Sequence, residues 1–174
     1  MHRNIVSLLL FLTLVFTQSI SQANERKISK AEDIVIINYG IFAHSPDNGT
    51  TWINPVSDKK IKGNSASPVH VKSTRKIPAK FPLFFGFEYQ LNNLTDETTT
   101  ISTEVTHPAI SMADGSTSTG YKEQSKFLIL NGNITAINGY LLENQAETAP
   151  GQWTFKIKHK GKTIINQQFE VKAE

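Results

Sequence analysis

The chain contains no cysteine, and that one absence excludes disulfide staples, thiolate nucleophiles and thiolate metal ligands. Any exported form must therefore hold its core by packing alone, and with no thiol for a lipid anchor the mature protein is expected to be soluble. Long apolar runs are scarce as well. The one that stands out, residues 5–16 (IVSLLLFLTLVF), is too short to cross about 30 Å of hydrocarbon. Charge of one sign is not in excess: 18 basic and 15 acidic side chains give a net charge of +3. That balance is far from the strong basicity of nucleic-acid binders, and nucleic acid is not an expected partner. No GxSxG elbow, GxxxxGK[ST] loop, GxGxxG turn or HExxH motif occurs, so no cofactor and no metal are expected from sequence motifs.

What is present begins at the N-terminus. Arg3 precedes the apolar run, and a polar stretch ending Ser21-Gln22-Ala23 follows it, with small residues where a signal peptidase reads them. Residues 1–23 therefore read as a secretory signal peptide and residues 24–31 as a loose polar lead-in, with residues 32–174 forming a single β-sandwich domain. Without Arg3 the mature chain carries 17 basic and 15 acidic side chains. Removing 23 of 174 residues leaves 151, enough for one domain that buries about two thirds of its unfolded surface. The expected location is periplasmic or secreted, with no integral membrane segment after cleavage.

Beyond residue 31 the hydrophobic pattern has period two and little helical spacing. In residues 81–91 each odd position is apolar: Phe81, Leu83, Phe85, Phe87, Tyr89 and Leu91. Gly86 interrupts the even face, at a bulge or a close backbone approach. Trp153, Phe155, Ile157 and His159 alternate with Thr154, Lys156, Lys158 and Lys160, and Lys160-Gly161 predicts a two-residue turn into a returning strand with Ile165, Phe169 and Val171 inward. Residues 34–42 predict a first strand, central or bent at Gly40. Residues 99–107 predict a strand paired with that of residues 81–91 across the turn at residues 92–96, and further strands are predicted over residues 121–130 and 134–143. Short strands between polar turns, without helices, predict an all-β immunoglobulin-like antiparallel sandwich of about seven strands; a small β-barrel is the alternative. Two long connections, residues 43–67 and 108–120, are predicted as loops, and long loops are a common seat of function.

Candidate functional residues fall in two groups. Residues 59–80 hold seven basic side chains and no acidic one. The plain reading of such a run is a sheet edge on which lysines discourage pairing with another chain. The functional reading makes Lys59, Lys60, Lys62 and Lys76, with Trp52 in the preceding loop as an amphipathic anchor, a contact for an unknown envelope protein or an anionic polysaccharide. The second group is His107-Pro108, which predicts the end of a strand, and Asp114-Gly115, which predicts a turn. An imidazole and a carboxylate at the roots of one loop, near Tyr121 or Tyr140, form the alternative site, that of a small hydrolase or metal-dependent enzyme. His159, at the inward end of its alternating strand, predicts a packing or hydrogen-bonding role.

Several of these segments carry a family resemblance. Asn38-Tyr39-Gly40-Ile41-Phe42, Phe85-Gly86-Phe87-Glu88-Tyr89, His107-Pro108 with Asp114-Gly115, Asn138-Gly139-Tyr140 and Pro150-Gly151-Gln152-Trp153-Thr154-Phe155 make the chain resemble the bacterial exported proteins grouped as domain of unknown function 3859. The resemblance runs over residues 34–171. It implies an envelope location and an immunoglobulin-like fold, and it implies no activity, so no catalytic residue is carried over. The expected function is that of a non-enzymatic binding or interaction module. An envelope peptidase inhibitor, presenting a loop, fits the same architecture.

The cleavage site is directly checkable. Mass spectrometry of exported material should find Asn24 as the first residue, and a membrane-associated species retaining Met1 would overturn both cleavage and release.

Overall fold

The computed structural model describes residues 33–43, 51–53, 60–62, 68–112 and 115–173, with backbone alone for 51–53 and 60–62. The signal and lead-in residues, Lys59 and Asp114 lie outside the described residues. The elements are β1 (Asp33–Ala43), β2 (Thr51–Ile53), β3 (Lys60–Lys62), β4 (Val69–Lys72), β5 (Lys76–Pro78), β6 (Leu83–Asn92), β7 (Thr98–Ser111), β8 (Thr117–Leu128), β9 (Ile134–Leu142), a single 3₁₀ turn (Gln145–Glu147), β10 (Gly151–His159) and β11 (Lys162–Lys172). One sheet has the order β4-β1-β6-β9 and the other β5-β11-β10-β7-β8, while β2 and β3 pair as a separate ribbon. The two sheets pack as a sandwich and do not close into a barrel, since β4, β9, β5 and β8 are all edges. Nine strands make up the two sheets where about seven were expected, because the basic stretch contributes the short edge strands β4 and β5. The ladders are antiparallel except that β5 runs parallel to β11. Among the described residues no helix is long and apolar enough to cross a membrane.

The core follows from the alternating rows. Leu83, Phe85, Phe87, Tyr89 and Leu91 of β6 are buried, as are Trp153, Phe155 and Ile157 of β10 and Ile165, Phe169 and Val171 of β11. Phe85 is the meeting point: its ring lies edge-on to Trp153 at 5.5 Å, Phe155 at 5.8 Å and Phe169 at 5.5 Å. Edge-to-face pairs of this kind contribute roughly 0.5–1.5 kcal/mol each beyond the burial of their surfaces. The β10–β11 turn is as expected. Lys160 and Gly161 have φ of 48° and 79°, the left-handed pair that a type I′ hairpin turn requires, and His159 pairs with Lys162. His159 itself is buried, with Nε2 2.7 Å from Thr99 Oγ1.

Gly40 and Gly86 answer to backbone crowding. β1 is central in its sheet, with register irregularities at Ile36/Asn38 and Ile41/Phe42, and at Gly40, whose φ is 118°, a Cβ would lie 2.1 Å from the Lys72 carbonyl oxygen. Gly86 is a close approach and not a bulge: it pairs with Gly139 in unbroken register, and a Cβ there would lie 2.2 Å from the Asn138 carbonyl oxygen.

Five expectations are corrected. β7 does not pair with β6, whose neighbours are β1 and β9; it lies in the other sheet between β10 and β8. A β6–β7 hairpin would place both apolar rows side by side on one face, with no second layer to cover them. Crossing to the opposite sheet sets one row against the other. Phe81 does not join the β6 row: it is 47% exposed, because Pro82 has no N–H for the ladder and the strand starts at Leu83. His107-Pro108 does not end β7. The strand runs on to Ser111 through a register shift between Thr106 and Ile110, an irregularity that accommodates the missing proline N–H and turns Ile110 inward. Much of the loop expected over residues 108–120 is thus strand, β7 reaching Ser111 and β8 starting at Thr117, and the Met112 amide donates to the Ser116 carbonyl at 2.8 Å. The long connection of residues 43–67 likewise carries the β2–β3 ribbon, with Trp52 paired to Ile61.

Trp153 is fully buried. Trp153→Ala should cost about 3–5 kcal/mol in denaturant melts through lost burial and a residual cavity. A loss below about 1 kcal/mol would place the ring in solvent and shift the β10 register by one residue.

Candidate functional site

The alternative site of the sequence gathers in part. His107 on β7, Tyr121 on β8 and Tyr140 on β9 come together beside Trp153 of β10. His107 is 7% exposed and stacks on Trp153, with ring centroids 4.6 Å apart and planes 27° from parallel. Its Nδ1 donates to the Pro108 carbonyl at 2.7 Å. Tyr140 lies 4.8 Å from Trp153 and 6.4 Å from Tyr121. Burial pushes the Tyr121 hydroxyl up to about 12, with the charge of Glu123 and the neighbouring Tyr140 adding to it. Burial also raises Tyr140, aided by Glu147 and Glu143. Both phenols therefore stay protonated at neutral pH and are poor bases. His107 sits four residues short of the end of β7 and not at a loop root, and Asp114 lies outside the described residues. The imidazole face is covered and one nitrogen is tied to backbone, so this cluster packs the space between the sheets. Next to it Asn138 Nδ2 donates to Thr103 Oγ1 at 2.9 Å across the sheets, leaving Asn138 Oδ1 buried without a partner. Among the described residues no three His, Asp or Glu side chains lie together as metal ligands do.

The basic stretch is split by the fold. The side chains of Trp52, Lys60 and Lys62, and all of Lys59, lie outside the described residues. Lys72 ends β4 at the edge of one sheet, and Lys76 opens β5 at the edge of the other, both exposed. Between them Arg75 joins the sheets. Its guanidinium sits 4.8 Å over the Tyr39 ring of β1 and donates from Nη1 to Gln167 Oε1 at 2.6 Å and to the Gln168 carbonyl at 3.1 Å on β11. The described part of the stretch therefore protects edges and pins one layer to the other.

A charged surface that sequence reasoning did not single out lies on the outer face of the five-stranded sheet. Register places Lys156, Glu104 and Lys122 in one row across β10, β7 and β8, and Lys158, Ser102 and Gln124 in the next. Glu104 Oε2 accepts from Lys158 Nζ at 2.7 Å and Glu104 Oε1 lies 3.4 Å from Lys122 Nζ. Lys126, opposite Thr100, continues the β8 side. Lys122 and Lys158, with Glu104, Glu123, Ser102 and Gln124, line a shallow depression of about 350 Å³. The bond from Lys158, with the charge of Lys122, holds the Glu104 carboxyl below the usual carboxylate range against a smaller opposing effect of burial. The signal was partly visible, since Lys156 and Lys158 mark the wet face of β10. The rest required knowing that β7 lies between β10 and β8.

This architecture defines an immunoglobulin-like β-sandwich. The chain belongs to the family described as Domain of unknown function (DUF3859), whose model matches residues 30–171. It is similar to a crystal structure of an immunoglobulin-like protein from Pseudomonas aeruginosa, with a TM-score of 0.59 and 18% identity, covering 83% of this chain and 99% of that one. A β-glucosidase from Listeria innocua in complex with glucose matches with a TM-score of 0.38 and 14% identity, over 55% of this chain and 14% of its own. That second likeness is too low to bear on this chain. No curated protein matches.

Glu104 gives a testable sign. Its lowered carboxyl pKa contributes stability that is present above the unfolded-state value and is lost as pH falls through the folded-state value. Glu104→Gln should lower the melting midpoint at neutral pH, and the gap to wild type should close in strong acid. A gap that is unchanged in acid would show that the carboxylate is not paired in this way.

Proposed function

We propose that the mature protein is an exported, non-enzymatic module that binds an anionic macromolecule of the cell envelope, in the periplasm or outside the cell, through a single domain of residues 32–174. The observation that carries this reading is the outer face of the five-stranded sheet, which carries Lys122, Lys126, Lys156 and Lys158, of which Lys122 and Lys158 pair with Glu104. The sheet fixes the backbone spacing of these lysines, so the attraction to an anionic partner has to outweigh about 0.5–1.5 kcal/mol for ordering each long side chain. Trp52, Lys59, Lys60, Lys62 and Lys76 are a second contact in the same reading. A hydrolase using His107, Asp114, Tyr121 and Tyr140 has less support, because the His107 ring is stacked on Trp153 and both tyrosine hydroxyls are held protonated. The peptidase-inhibitor reading rests on no particular loop.

The test is retention of the mature protein on immobilised envelope polysaccharide. Retention should fall with rising salt, because exposed charges are screened beyond about 8 Å at physiological ionic strength. Lys126→Gln with Lys156→Gln should reduce it while moving stability by no more than about 0.5 kcal/mol per site. Salt-insensitive retention, or equal retention by the double variant, would remove the support for this face as the contact.

A further inference from the structure

The strand order gives the charged face a shape. β7 runs between β10 and β8, so the outward lysines of those two strands stand on either side of it, about 9–10 Å apart at two strand spacings. On β10 Lys156 and Lys158 are successive outward residues, about 6.7 Å apart, and on β8 Lys122 and Lys126 bracket Gln124 over about 13 Å. The floor between the rows is the outward face of β7: Thr100, Ser102, Glu104 and Thr106. The result is a trough with cationic walls and a hydroxyl floor, open along its length.

Glu104 limits what such a trough accepts. Its carboxylate already engages Lys158 and Lys122, and it repels any anionic group placed directly above it. It accepts hydrogen bonds from hydroxyls readily. Lys126 and Lys156 lie outside those two ion pairs, diagonally across the trough. A ligand that satisfies all of these groups is linear, carries acidic groups at intervals and presents hydroxyls between them. No aromatic side chain stands on the β7 floor or among the outward residues of β8 and β10 that flank it, so there is no ring on which a nucleobase or an uncharged sugar could stack.

From this geometry we infer that the trough along β7 binds a linear acidic polysaccharide, with its carboxylates at Lys126 and Lys156 and its hydroxyls over Thr100, Ser102 and Glu104. The inference rests on the reading that this face is the contact surface, and it adds the class of ligand.

The experiment is calorimetric titration of the mature protein with oligogalacturonate, with a neutral maltooligosaccharide of equal length, with oligothymidylate and with phosphatidylglycerol vesicles. Oligogalacturonate should bind and the neutral oligosaccharide should not. The Lys126→Gln/Lys156→Gln variant should lose about tenfold in affinity, whereas Lys72→Gln/Lys162→Gln, which removes the same charge from exposed positions outside the trough, should keep it. Equal binding of charged and neutral oligosaccharides, or an unaffected Lys126/Lys156 variant, would overturn the inference. Binding of oligothymidylate or vesicles in place of oligogalacturonate, with loss in the same variant, would overturn the ligand class and leave the anion-binding face standing. Binding of none of the anionic probes would count against the inference, and if the retention on envelope polysaccharide were also absent, the proposed function would fall with it.

Discussion

The contact on which the rest of the structure depends is the edge-on packing of Phe85 against Trp153, Phe155 and Phe169. It joins a strand of one sheet to two strands of the other at the centre of a chain that has no cysteine to cross-link it. Sheets that carry a continuous apolar row must cover it with a second layer, and the aromatic rows of β6 and β10 are large enough to set which strands face each other. With β6 facing β10, its two ladder sides are taken by β1 and β9, which leaves no place beside it for β7. β7 crosses to the second sheet, and its polar face turns to solvent between two lysine-bearing strands. The charged trough is thus a consequence of how the core is filled.

Much of the fold was legible from alternation alone. The rows of β6, β10 and β11 and the Lys160-Gly161 turn follow from period two and from one glycine free to take positive φ, and the all-β sandwich follows from them. Period two shows which face a residue occupies, but not which strand lies beside it. A short turn in sequence, as at residues 92–96, therefore suggests a β6–β7 hairpin, whereas the chain uses it to cross between sheets. The prolines misled for a related reason. Pro82 cuts Phe81 off from its row, as a residue without an amide hydrogen does at a strand start, whereas Pro108 is absorbed by an irregularity that carries β7 onward. Local chemistry permits both outcomes, and only the ladder on the far side decides between them.

The candidate sites show the same division. His107, Tyr121 and Tyr140 do meet, yet the stacking of His107 on Trp153 makes the group part of the packing between the sheets. The basic stretch, continuous in sequence, is distributed by the fold over two sheet edges, with Arg75 spanning from the Tyr39 ring to β11. Conversely Glu104, Lys122 and Lys158 are far apart in sequence and share one ion-paired cluster. A run of like charge in a sequence becomes a surface only if the strands carrying it stay together, and here the assembled surface comes from three separate strands.

The central claim is that β6 faces β10 across the sandwich through Phe85. A double-mutant cycle on Phe85→Leu and Phe155→Leu, read by denaturant unfolding, tests it most directly. The packing predicts a coupling of about 0.5–1.5 kcal/mol between the two sites, because each ring loses its edge-on partner in the other's absence. Purely additive losses would mean that the two rings do not touch, and the pairing of layers that places β7 between the lysine strands would then be wrong.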